Sequence, residues 1–474
     1  MRRTRLLLPL LVAGCSLSRL DPVPCSDNQT CRDAFGWGYT CDTDAGLCEV
    51  APTEDRCATT WPTDLLTNRE DYADTIIFGG LIDRSAAEAE MLAFELPIRQ
   101  VNEKSGLDGQ DYGLIECDVQ ESSSYDNRTL DEANIDMATW LADSIGVPAV
   151  LGPQYSSTAI DVYTAISPFG TMIMSHSATS PALTDIDGGD PTANDPGLFW
   201  RTAPPDSLQG KVIAQDMVDR DITRVAVIFQ DGAYGEGLED AFNTAFTAHG
   251  GTTTLYPFSA DTDRDEAVVD VASSDAEEVL FIASDVDTVE AFLRGAASLG
   301  DAYLDKGIFL TDGAYYESVF TDTEDSAGDL FDQIRGSRPT VDTESTTYQL
   351  FKASFQSAYD LDPDAYAYTA YAYDASWLLI YGTAWATYQL DGISGVNMAR
   401  GMLKVSSGDE VEIKPNSWTT VTAEFAASHA VDVVGASGSL DYDAEGEASA
   451  PIEIWTVSCS GSSCSFGQER VVEP

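Results

Sequence analysis

The chain has 474 residues, 43% hydrophobic and 22% charged, enough for two or three compact domains around a large buried core. Its formal net charge of −54 repels phosphate backbones and anionic headgroups, which excludes nucleic acid and anionic membrane surfaces as partners. Lysine is scarce beside arginine, a composition suited to high external salt, where self-repulsion is screened.

The chain opens on MRRTRLLLPLLVAGC. A basic start, a short apolar core and small residues before a cysteine are the layout of a secretory signal, and the core is too short to span a bilayer. Leu11-Val12-Ala13-Gly14-Cys15 resembles a bacterial lipobox. The resemblance implies cleavage before Cys15 and a lipid on its sulfur, which anchors the protein on the periplasmic or cell-surface side of a membrane. Residues 1–15 are therefore read as signal and lipobox. Eight cysteines remain, an even number that suits disulfides in an oxidising compartment. Cys25, Cys31, Cys41 and Cys48 sit among Gly, Asp and Asn, and residues 16–60 read as a small disulfide-rich tether module. Cys459 and Cys464 are spaced to close a small loop, which would leave Cys57 for Cys117; spacing alone does not decide the pairing.

From Asp74 the chain alternates strand and helix signals, the pattern of a mostly parallel sheet flanked by helices. TIIFGGLI (75–82), DYGLIECD (111–118), VPAVLGP (147–153) and GTMIM (170–174) read as strands. Helices are expected over 87–103, 131–143 and 156–167. A second series follows FWRTAPPD (199–206): strands over 224–231, 277–285 and 306–315, with helices over 209–220, 234–250 and 288–300. A long helical region lies over 365–390, followed by short extended segments. Two doubly wound lobes imply a cleft between them, with ligands at the carboxyl ends of the strands.

The loops beyond those ends divide by chemistry. In the first lobe, Ser156 or Ser157 is placed to cap one helix, and Ser180-Pro181 reads as the start of another. Two hydroxyl-rich helix N-termini at one sheet edge suit a carboxylate. In the second lobe, Asp231, Tyr234, Asp285 and Asp312 follow strands and suit an ammonium. His176 beside Ser177 raises a hydrolase, but no GxSxG elbow carries the serine. Three scattered histidines cannot build a zinc site, so neither metal nor cofactor is expected, and the chain is read as a non-enzyme.

AVLGPQYSSTA, ISPFGTMIMSHSATSPALT, VAVIFQDGAYGEGL and VDVVGASGSLDYDAEGEASAPIEIWTV resemble, in that order, the segments of type I periplasmic binding proteins of the leucine/isoleucine/valine-binding family. The resemblance covers about Asp74 to Val457. It implies an α/β fold of two Rossmann-like lobes joined by a three-segment hinge, with crossings near Arg201–Pro204, Arg335–Thr340 and Ser437–Asp441. Lobe 1 would comprise 73–203 plus 338–438, lobe 2 would comprise 204–337 plus 439–458, and 459–474 would be a C-terminal tail. Ser156 matches the serine that binds a ligand carboxylate, and Ser177 and Thr179 the loop positions that hold carboxylate and ammonium. Tyr234 matches the tyrosine of the YGxG turn and Asp312 an acid that receives the ammonium. Asp285 stands where relatives carry a ligand-facing tyrosine or acid, and Tyr366 where an aromatic lines the side-chain pocket. The implied partners are an amino acid-like ligand, an ABC permease and its ATPase; the alternative is a sensing domain with no transporter. Two departures stand against branched-chain specificity: the loop Asp83–Glu90 lacks a covering aromatic, and His176 replaces a commoner proline or serine. Both leave room for a polar or acidic ligand side chain.

Overall fold

The computed structural model describes residues 23–121, 125–460 and 463–473. The signal, the lipobox and Cys15 lie outside the described residues. Among the described residues no helix is long and apolar enough to cross a membrane.

The cysteine-rich segment forms α1 (Asn28–Phe35) and the hairpin β1 (Tyr39–Asp42) and β2 (Leu47–Val50). The bonds Cys25–Cys41 and Cys31–Cys48 staple them. The module does not stand off as a free tether. Asn28 and Arg32 both donate to the Asp143 carbonyl, and Arg69 donates to that of Gly38. The segment then enters the first lobe as β3 (Thr59–Trp61), antiparallel to β5 (Tyr112–Asp118), where Cys57–Cys117 ties the two together.

The first sheet continues with β4 (Ile76–Ile82), β6 (Ala149–Leu151), β7 (Met172–Ser175) and β8 (Phe199–Arg201), in the order β3-β5-β4-β6-β7-β8. All pairs after β3–β5 are parallel. Successive side chains of a strand point to opposite faces, and the runs are buried throughout and mostly apolar because both faces are covered. Phe78, Leu114 and Met174 enter one core with helix α2 (Glu88–Asn102) and the long helix Thr369–Gln389. Ile77, Ile115 and Ile173 enter the other, with α3 (Leu130–Thr139) and α4 (Ser156–Ile166).

The second sheet holds β9 (Arg224–Gln230), β10 (Thr252–Phe258), β11 (Glu278–Ile282), β12 (Gly307–Leu310) and β13 (Ile334–Pro339). Its order is β10-β9-β11-β12-β13-β16-β17, where β16 (Ile452–Ser460) and β17 (Ser463–Val472) add antiparallel strands. The expected tail is thus a sheet strand: Phe466 of β17 stacks on Tyr315 and packs edge-on to Trp455. Around this sheet lie α5 (Asp206–Asp219), α6 (Ala233–Ala248), α7 (Asp261–Ala272) and α8 (Val286–Ser298).

The chain passes between the two sheets from β8 to α5, from β13 to the helix Thr346–Tyr359, and from the parallel pair β14 (Asp409–Glu412) and β15 (Val431–Val434) to β16. Arg201, fully buried at the first passage, pairs with Glu447 from the third and donates to the carbonyls of Ala178 and Ser180. One guanidinium therefore fixes two passages and the loop after β7.

Two local expectations fail. Ser180-Pro181 launches a single 3₁₀ turn, Pro181–Leu183, not an α-helix. The Ser180 hydroxyl caps that turn through the Ala182 N–H, and also donates to the Ala233 carbonyl across the cleft. Neither Ser156 nor Ser157 is the N-cap of α4. Tyr155 is, and it offers no side-chain cap bond.

Candidate functional site

The strand ends of both lobes open on one interlobe cavity of about 390 Å³. On the first-lobe wall, the loop after β6 brings Gln154-Tyr155 to the start of α4, whose opening residues Ser156, Ser157 and Thr158 line the space. With no side-chain cap, the first N–H groups of α4 are left for an anion. Ser156 is 3% exposed, and its Oγ accepts the Ser180 N–H at 3.1 Å. Ser177 Oγ donates to the Gln154 carbonyl at 2.9 Å and lies 3.3 Å from His176 Nε2. His176 is fully buried, edge-on to Phe94, and lines the same wall. Burial lowers its pKa to about 3, so the imidazole is neutral.

The second-lobe wall is built round Asp312, just beyond β12. Its carboxylate accepts from Tyr234 (2.7 Å), Tyr368 (2.8 Å) and Gln209 (3.0 Å). A carboxylate has about four lone-pair sites, so this one is aimed and still has room for a further donor. Burial and the Asp312 charge hold the Tyr234 and Tyr368 phenols well above their usual pKa, as neutral donors. Asp206, under the same cluster, is fully buried, and its pKa is raised by burial and by Asp312. Asp285 caps α8 by accepting the Thr288 N–H at 2.8 Å. Tyr316 and the turn Gln230–Gly235 complete the wall. Gly232 takes φ +124° there, and a Cβ would meet Ser157 Oγ at 3.0 Å. That close approach lets Ser157 accept the Ala233 N–H at 3.0 Å, first lobe to second.

Of the seven residues singled out from the sequence, Ser156, Ser177, Tyr234, Asp285 and Asp312 line the cavity. Thr179 and Tyr366 do not. Thr179 is buried with its hydroxyl beside Asp206, making no hydrogen bond of normal geometry. Tyr366 packs at the edge of the first-lobe core, and the residue that reaches Asp312 is Tyr368, two positions on.

Sequence reasoning also missed Glu90, Tyr155 and Tyr316. The aromatics stand in strand-end loops already marked as important. Glu90 has no such signal, lying within the apolar pattern of α2. Seven carboxylates (Asp83, Glu90, Glu121, Asp131, Asp231, Asp285 and Asp312) line the cavity, with no lysine or arginine among the described residues. That charge corrects the room left for an acidic ligand side chain: Coulomb repulsion opposes it.

The family described as "Receptor family ligand binding region" matches residues 89–459. The Leu/Ile/Val-binding protein homolog 3 of Brucella melitensis biotype 1 is 32% identical over 142 residues, 29% of this chain and 36% of that protein. The aligned region therefore spans about a third of that curated relative. Among solved structures, the leucine-binding protein LivK of Thermotoga maritima superposes with a TM-score of 0.65 at 17% identity, covering 84% of this chain and 99% of that one. LivJ of Streptococcus pneumoniae, solved with isoleucine, superposes at 0.62 and 18%, covering 84% and 100%. At these identities the likeness concerns the fold.

Proposed function

The chain belongs to the receptor family ligand binding region, in the fold of type I periplasmic binding proteins, and from that premise we propose that it is an extracytoplasmic binding protein for an amino acid-like ligand. The observation that carries this reading is the opposition of the two walls. An uncapped helix N-terminus with Ser156 and Ser177 faces an acid, Asp312, held by two phenols. A ligand carboxylate would take the α4 N–H groups and the Ser156 hydroxyl proton; an α-ammonium would take Asp312, with Tyr234 and Tyr368 turning to accommodate it.

Closure of such a cleft is a hinge motion of the lobes, so a ligand touching both walls favours the closed form. On this reading no bond is made or broken in the polypeptide. The closed form is delivered to an ABC permease, whose ATPase supplies the energy, and Cys15 carries the lipid anchor. The match to a receptor family favours one second reading, a sensing domain that passes the same closure to a membrane receiver.

A thermal-shift screen of the purified protein against amino acids, amides and small carboxylates tests binding, because a ligand held only by the folded state raises Tm. A hit whose shift is lost in Ser156→Ala and in Asp312→Ala supports the site. Unchanged shifts in both variants would place the ligand elsewhere. Loss of labelled-ligand uptake on deletion supports transport, whereas intact uptake with a lost transcriptional response supports sensing.

A further inference from the structure

Glu90 sits in the first turn of α2, lines the cavity and is 2% exposed, and its Oε2 has no hydrogen-bond partner. A buried carboxylate without a partner is costly, and most buried acids of this chain avoid that cost. Glu278 pairs with Arg220, Asp216 with Arg335, Glu447 with Arg201 and Glu453 with Arg338. Glu116, Asp206 and Glu239 also keep an unpartnered oxygen, yet none of them lines the cavity. Glu90 does, and so does Gln154, whose buried Oε1 likewise lacks a donor. The aromatic groups that line the cavity with Glu90 are Tyr155, Tyr316 and Tyr368, and the main chains of Glu90 and Tyr368 lie against its carboxyl group. None is a cation.

Resting on the amino acid reading above, we propose that Glu90 and Gln154 form a subsite for a second cationic nitrogen, so that the ligand is a basic α-amino acid with a side-chain ammonium or guanidinium. An aliphatic side chain closed into this space would leave two acceptors dry against hydrocarbon. A carboxylate side chain would add an eighth carboxyl group to the seven of the lining. Ammonium and guanidinium groups are donors only, and their bonds to a carboxylate are charge-assisted. Burial pushes Glu90 up to about 7, as happens to a carboxyl without its counter-ion; a bound cation restores the ionised form.

The test is isothermal titration of the full chain and of Glu90→Gln with L-lysine, L-ornithine, L-arginine, L-leucine, L-isoleucine, L-glutamine and CaCl₂. At least one basic amino acid is expected to bind roughly tenfold tighter than any neutral one. Glu90→Gln should weaken the basic ligand by about tenfold, the scale of a lost charge-assisted bond, and so narrow the gap between basic and neutral ligands. Neutral amino acids binding as tightly as basic ones, or basic affinity unaltered in Glu90→Gln, overturns the subsite and leaves the amino acid reading standing. Binding of nothing in the panel overturns both. Binding of Ca²⁺ in place of the amines overturns the subsite as an amine site. The wild-type comparison decides the matter even where Glu90→Gln fails to fold.

Discussion

The two walls of the cleft solve opposite problems. On the second-lobe wall the key acid is already satisfied: three donors from α5, α6 and the segment before Thr369–Gln389 converge on Asp312. On the first-lobe wall Glu90 Oε2, Gln154 Oε1 and His176 Nδ1 have no partner, and the first N–H groups of α4 have no side-chain cap. The three donors aim the Asp312 carboxylate in advance, although Asp206 and Gln209 beside it keep unpartnered oxygens of their own. The unpartnered groups of the first-lobe wall gain hydrogen bonds only when something arrives, so on the proposed reading the second wall would set position and the first selectivity.

Breaking the preorganised wall has the largest expected effect. Asp312→Ala leaves Tyr234, Tyr368 and Gln209 without their shared acceptor and should weaken amino acid binding by about 4 kcal/mol, roughly a thousandfold. Titration calorimetry reads it. A Tyr368→Phe loss much smaller than that of Asp312→Ala would confirm that the acid, not its scaffold, carries the contact.

The unsatisfied wall is sharpened by pH. In the folded, ligand-free protein Glu90 keeps its proton up to about 7, whereas an unfolded glutamate releases it near 4.3. The folded state therefore holds more protons over that interval, and its stability falls as pH rises from about 4.5 to about 7. The share due to Glu90 is roughly 3 kcal/mol, at about 1.4 kcal/mol per pKa unit. Asp374, raised to about 7 by burial, acts in the same direction. His176, lowered to about 3, acts oppositely below about 6.5. Glu90→Gln isolates the first share: denaturant melts at pH 5 and pH 8 should differ less in the variant than in the wild type by that amount.

Smaller effects follow on the helix side. Ser156→Ala removes one hydroxyl from the α4 N-terminus but none of its N–H groups, so affinity should drop by about 1.4 kcal/mol, or tenfold. Tyr366→Phe, off the cavity lining, should change affinity by less than about twofold.

Much of the fold was legible because strands buried on both faces write continuous apolar runs, and Ile76–Ile82 and Arg224–Gln230 follow the expected segments within a residue or two. The C-terminal hairpin was not. The loop closure of CSGSSC is present as Cys459–Cys464, but only pairing with β16, a tertiary fact, makes Ser463–Val472 a strand in place of the expected tail. Asp312 and Tyr234 were legible because strand ends of such sheets face the cleft. Glu90 was not, since a charged residue in a helical pattern ordinarily faces water; it shares the cavity lining with Tyr155, Tyr316 and Tyr368, which arrive from three distant segments. Ser180-Pro181 carried a true helix-start signal, yet the bond from Ser180 to Ala233 and the grip of Arg201 spend that loop on holding the lobes together.

The central claim is that one ligand is held from both walls of this cleft. Titration of a screened amino acid into the wild type, Ser156→Ala and Asp312→Ala tests it most directly. One site in the wild type, with affinity lowered in both variants and lowered most in Asp312→Ala, is the result expected. Equal affinity in all three proteins would contradict it.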